Sequence, residues 1–146
     1  MAGAKSARPL SPLVWLPTFA TDEEALDQQH RKLMIDLNEL TDLLFEGRAW
    51  SSVVATSEEL REDSIEHFKA EEEVLKKTGY RQLPQHRSVH RQLERQLDDI
   101  VGRLVRVRSA ARADIEGALY LRSMLIDHFF RQDIAYKSHV LRSKGR

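Results

Sequence analysis

Apolar residues recur at steps of three and four along most of the chain. That spacing marks helices that bury one face. Leu26, His30, Leu33, Leu37, Leu40 and Leu44 form the first such stripe, with a histidine set into it. Ahead of it, Thr21-x2-Glu24 reads as a capping box, and Gly47 as the stop. A second helix is predicted from Ser51 or Ser52 to just before Gly79. Its inner face carries Leu60, Ser64, His67, Glu71 and Val74, with Phe68 and Leu75 beside them. Pro84 suits the first turn of a third helix, whose stripe is His86, His90, Leu93, Leu97, Ile100 or Val101, and Leu104. Residues 106–113 are expected to hold the turn into a fourth. That helix places Leu121, Leu125, His128, Gln132 and Ala135 on one face and Phe129, Asp133 and Tyr136 on the adjoining one.

Four helices with short links and one apolar stripe each predict an all-α fold. The expected architecture is an antiparallel up-down-up-down four-helix bundle over residues 21–140, preceded by an N-terminal arm over 1–20. No strand pattern, internal repeat or low-complexity run competes with it. A chain of 146 residues is enough for one domain with one core.

Composition narrows the function. The chain has no cysteine, which excludes disulfides, thiolate ligands, zinc fingers and iron–sulfur clusters. No apolar run approaches about 18 residues, and Pro9, Pro12 and Pro17 interrupt the only N-terminal stretch resembling a signal-peptide core. A cytoplasmic protein is expected. Formal net charge is zero, so neither nucleic acid nor a membrane is an expected partner. The halves differ, however. Residues 1–75 hold 16 Asp/Glu against 7 Lys/Arg, and residues 76–146 hold the reverse. Either two oppositely charged hairpins attract within the bundle, or the patches serve self-association or docking.

The chemistry lies in the histidines. His30, His67-x3-Glu71, His86-x3-His90 and His128-x4-Asp133 fall on the four predicted helices. The i, i+4 pairs each project from one face. A buried, ionised Glu71 costs several kcal/mol without a cation, and coordination removes that cost while using neutral imidazoles. Imidazole and carboxylate without sulfur suit iron, manganese or zinc. Seven ligands are too many for one tetrahedral zinc and suit two octahedral ions. If Glu71, Asp133 and a hydroxide all bridge, three histidines complete one ion. Two leave the other with an open position for a small ligand such as O2. The His128-x4-Asp133 spacing fits poorly, since five residues overshoot a regular turn by about 140°. Either Asp133 reaches around its helix or the helix is distorted there.

The stretches ALDQQHRKL, HFKAEEEVLKKTGY, HRSVH and DHFFRQD that hold these residues resemble the hemerythrin family, in particular its single-domain bacterial members. The resemblance runs from about Trp15 to Tyr136 and fills all seven metal-ligand positions of the family motif. It implies two iron ions (Fe2+/Fe3+) with a bridging oxo or hydroxo group. By it, His86, His90 and His128 hold one iron, His30 and His67 hold the open one, and Glu71 and Asp133 bridge. It implies reversible O2 binding rather than catalysis: a carrier, store or delivery protein with an O2-consuming enzyme as acceptor. An O2 or redox sensor and a peroxidase-like scavenger are the alternatives. Leu33, Phe68, Leu125 and Phe129 would line the O2 pocket. Two residues depart from the family pattern: Met124 stands where a tryptophan is common, and Phe129 where isoleucine is. Trp15 would pack the arm on the bundle. Tyr136 would serve the site or the packing, and His139 would lie on the surface.

Overall fold

The computed structural model describes residues 12–21, 23–47, 49–107, 112–132 and 136–144, with the backbone alone at 112–114, 131 and 132. A 3-10 turn, Pro17–Phe19, leads into α1 (Glu24–Glu46), followed by α2 (Trp50–Lys77), α3 (Leu83–Arg106) and α4 (Arg112–Asp127). A π-helical turn, His128–Gln132, continues α4, and a short α5 (Lys137–Lys144) ends the described chain. There is no strand among the described residues. Each helix packs on the next, and α4 returns to α1, which closes the four-helix bundle.

The helix ends follow local rules, with two departures. Gly47 ends α1 in the left-handed region at φ 65°, where a side chain would be strained. Gly79, at φ 70°, ends α2 in a Schellman motif: the Tyr80 amide donates to the Leu75 carbonyl (2.9 Å) and the Gly79 amide to that of Lys76 (3.2 Å). Pro84 lies in the first turn of α3. The capping box at Thr21-x2-Glu24 does not form. Glu23 occupies the cap position without a side-chain bond, and the Thr21 amide and hydroxyl both donate to Asp27 Oδ1 at 2.8 Å. The partner of Thr21 is thus one turn further along than a capping box requires. The second helix also starts earlier than expected, at Trp50, whose indole donates to the Leu104 carbonyl (3.2 Å).

Two apolar clusters flank the histidines. The larger draws on all four helices and includes Leu37, Leu40, Leu60, Leu97, Val101 and Leu121. Val101, not Ile100, is the buried residue of that pair. The smaller gathers Leu26, Leu75, Leu83, Tyr136 and Val140, so α5 closes the end of the bundle next to the histidines. Ahead of α1, Leu13 exchanges two hydrogen bonds with the Asn38 side chain, at 2.8 and 2.9 Å. Trp15 lies under the Arg31 guanidinium (4.4 Å), and Phe19 meets Phe130 (5.0 Å). Residues 1–11 of the expected arm lie outside the described residues. The charge asymmetry is used in part within the bundle. Glu72, from the acidic half, pairs across the α2–α3 seam with two arginines of the basic half, Arg91 (2.8 Å) and Arg87 (3.5 Å), while Arg61 and Asp98 (3.4 Å) pair across it in the opposite sense.

Candidate metal centre

The four helical stripes bring five histidines and one glutamate to a single level of the bundle. Donor atoms of Glu71, His86, His90 and His128 lie within 4.8 Å of one another, and so do those of His30, His67 and Glu71. Glu71 belongs to both groups and is wholly buried. Its Oε1 lies 2.5 Å from His86 Nε2 and 3.0 Å from His90 Nε2, while its Oε2 lies 3.1 Å from His67 Nε2. The Tyr136 hydroxyl donates to that same Oε2 at 2.9 Å. The rings of His30 and His67 are 4.3 Å apart. His86 alone of the five keeps a sizeable exposed edge, 12% of its side chain.

Hydrogen bonds on the outer side of two rings determine where their protons are. His67 Nδ1 donates to Gln29 Oε1 (2.8 Å), and His90 Nδ1 donates to Glu72 Oε2 (2.6 Å). An imidazole that donates from Nδ1 presents a lone pair at Nε2 when neutral. In both rings that lone pair faces a carboxylate oxygen of Glu71 at about 3 Å. Lone pairs aimed at a buried anion repel unless a cation stands among them. This donor set therefore fits metal ions: buried imidazole nitrogens and a shared carboxylate, with no sulfur.

The walls are aromatic and aliphatic. Phe68 stacks on His90 (4.3 Å, 17° between planes) and meets His128 edge-on (5.5 Å). Phe129 lies 5.5 Å from His67 and 6.0 Å from His30. Leu33, Phe68, Leu125 and Phe129 are all fully buried. Met124 is different: it lines a surface cleft of about 470 Å³ between α3 and α4 that reaches His128, beside Val89, Leu93 and Tyr120.

Six of the seven residues expected from sequence converge here. The seventh, Asp133, lies outside the described residues. The helix leading to it is π-helical from His128 to Gln132. A repeat of five residues per hydrogen bond brings positions five apart towards one side, so the awkward 128–133 spacing meets a local distortion of the helix. His139 is not a simple surface residue. It is half-buried, bonded to Thr78 Oγ1 (3.0 Å) and set against Tyr80 (5.0 Å).

Gln29 and Glu72 were not expected from the sequence. Each directly follows or precedes a stripe residue, and each reaches a histidine on the next helix. Adjacent helical residues are about 100° apart, so the neighbour of an inward ligand points at the seam with the adjoining helix. That is the signal that could have found them.

Comparison with known proteins agrees with this geometry. The profile of the hemerythrin HHE cation-binding domain matches residues 21–138. The chain is 26% identical to a bacteriohemerythrin of Pseudomonas aeruginosa over 136 residues, covering 92% of this chain and 85% of that one. It is 29% identical to a myohemerythrin of Theromyzon tessulatum over 129 residues, or 88% and 94% of the two chains. A hemerythrin-like protein of Naegleria gruberi matches at 26% over 127 residues, 87% of this chain and 92% of its own length. With a family profile matched across all four helices and six donor residues, five of them buried, meeting at one level, the chain belongs to the hemerythrin family.

Proposed function

We propose that this protein binds O2 reversibly at a pair of non-haem iron ions and serves as an O2 carrier, store or delivery protein. One observation carries the reading: a single buried carboxylate, Glu71, is shared by a cluster of three histidines and a cluster of two. His86, His90 and His128 would hold one iron and His30 and His67 the other, with Glu71 bridging. Asp133 would be the second bridging carboxylate, and the five-residue repeat of the π turn before it supports that assignment. When bound, the iron pair supplies the electrons that O2 binding draws on and recovers on release.

The chain's own residues do the rest. Tyr136 holds Glu71 Oε2 with its hydroxyl, which fixes the carboxylate between the two clusters. Gln29 and Glu72 orient His67 and His90. Phe129 stands against the rings of His30 and His67 and Phe68 against those of His90 and His128; with the buried Leu33 and Leu125 they would keep water from the site and so disfavour proton-assisted loss of bound gas. The two-histidine cluster, with fewer ligands, is the side where a small molecule would bind. No helix among the described residues is long and apolar enough to cross a membrane.

The test is an anaerobic titration. Protein loaded with two ferrous ions gains a visible charge-transfer band in air and loses it under argon, over repeated cycles. Iron that oxidises at once and never returns the gas overturns the reading. Sustained peroxide turnover in its place points to a scavenging enzyme.

A further inference from the structure

One ring of each histidine cluster shows a different kind of partner behind it. His90, in the three-histidine cluster, donates from Nδ1 to a carboxylate: Glu72 Oε2 at 2.6 Å. His67, in the two-histidine cluster, donates from Nδ1 to a neutral amide: Gln29 Oε1 at 2.8 Å. Both rings are fully buried. At low dielectric an anionic acceptor draws the Nδ1 proton outward far more than an amide does. Electron density then shifts to Nε2, the nitrogen facing Glu71. Glu72 itself is held in place by ion pairs with Arg91 (2.8 Å) and Arg87 (3.5 Å) from α3. An arginine pair at the surface thus acts through one carboxylate on one imidazole in the core. Gln29 carries no charge to transmit.

We propose that Glu72 is a positioning residue that makes the two metal positions unequal. Backed by its carboxylate, the three-histidine position binds a divalent ion first and more tightly. The two-histidine position, backed by the Gln29 amide, is the labile one. The inference rests on the ligand assignment proposed above and adds an order of loading to it. It also gives the arginines at the α2–α3 seam a role beyond surface pairing. Exposed pairs contribute little to stability on their own, but here the pair holds the charge that His90 senses.

The experiment uses cobalt(II) as probe on the metal-free full-length chain, followed by absorbance and calorimetry. Two binding steps of different affinity are expected. His30→Ala removes the weaker step and so assigns it. Glu72→Gln keeps a hydrogen-bond acceptor and loses the charge. It weakens the tighter step by about 10–100-fold, the usual cost of removing such a partner, and leaves the weaker step within about threefold. Gln29→Glu does the reverse: the weaker step tightens and the gap closes, a gain that misfolding does not imitate. The ¹⁵N shifts of His90 in the metal-free protein give a readout independent of binding. They keep the Nδ1-protonated form in Glu72→Gln and lose it in Glu72→Ala. If Glu72→Gln binds cobalt as the parent does while Glu72→Ala is weak, the residue acts by shape alone and the proposal is overturned. If the parent takes fewer than two ions, the ligand assignment itself fails.

Discussion

The two ends of this bundle are built on opposite principles. At one end, α1 to α4 meet through leucines and valines: Leu37, Leu40, Leu60, Leu97 and Val101 lie in one continuous buried cluster. Such a core needs nothing but its own packing, since each buried leucine contributes about 1.5–3 kcal/mol by leaving water. At the other end the same four stripes present His30, His67, Glu71, His90 and His128 at equal burial. These groups gain nothing from leaving water, and their ring nitrogens converge on a carboxylate. The leucine end therefore stabilises the fold and holds the histidine end in a geometry it would not adopt by itself. Metal ions should add to the stability of the second end and leave the first unchanged.

The comparison can be broken most completely at Glu71. Glu71→Ala removes the carboxylate common to both clusters and is expected to abolish binding of both ions and the O2-dependent absorbance. Helix content should remain near that of the parent, because the leucine end is untouched. Metal analysis and far-ultraviolet circular dichroism check this. A variant still holding two ions would refute the central place given to Glu71.

The converse change is Leu97→Ala at the leucine end. Leu97 is fully buried, and truncating such a side chain costs about 2–5 kcal/mol in urea unfolding. The iron-to-protein ratio of the folded fraction should not change. A fall in metal content out of proportion to unfolding would mean that the two ends are less separate than described.

The smallest effect concerns the outer face of the α1–α2 seam. Here Lys32 Nζ sits among Asp36 (2.7 Å), Glu59 (2.7 Å) and Asp63 (2.9 Å). Burial, with a hydrogen bond to Asp63, pushes the Asp36 carboxyl up to about 7 despite the nearby ammonium. Asp63 is held below its usual range because its bonds to Asp36 and Lys32 outweigh burial. Burial disfavours the Lys32 charge, but its three acidic partners outweigh that and raise it above the ordinary lysine value. A carboxyl raised on folding takes up protons between its unfolded value of 3.8 and about 7. Stability is therefore greatest at the acid side of that window and falls as pH rises through it. Asp36→Asn should match the parent only near or below pH 3.8 and exceed it increasingly as pH rises to about 7. Urea midpoints across that range that run parallel for both proteins would rule this out.

Much of this was legible in the sequence, because helical period is a strong signal when a stripe is unbroken. The leucine steps gave four helices, and Gly47 and Pro84 marked ends that the backbone confirms. The same steps placed five histidines and Glu71 inward. Contacts between helices were less readable. Gln29 and His67 are 38 residues apart and Glu72 and His90 18 apart, and both acceptors read as ordinary outward residues of acidic or polar helices. Thr21 was matched to Glu24 by a local rule, yet the backbone turned it to Asp27. The five-residue step from His128 leaves a long reach and a distorted helix both open in the sequence; the backbone shows the distortion over His128–Gln132, while Asp133 itself lies outside the described residues.

The widened turn has a consequence for chain length. It stores one residue more than the α turn it replaces, and everything after it is rotated accordingly. Tyr136 against Glu71 and Val140 in the end cluster both lie downstream of that extra residue. Deleting any one of residues 129–132 would turn the following segment by roughly 100°. Most substitutions change one contact; a deletion there would keep nearly every letter of the site and lose its arrangement in space. If Asp133 bridges as proposed, the spacing between His128 and position 133 matters to the site as much as the residues at its two ends.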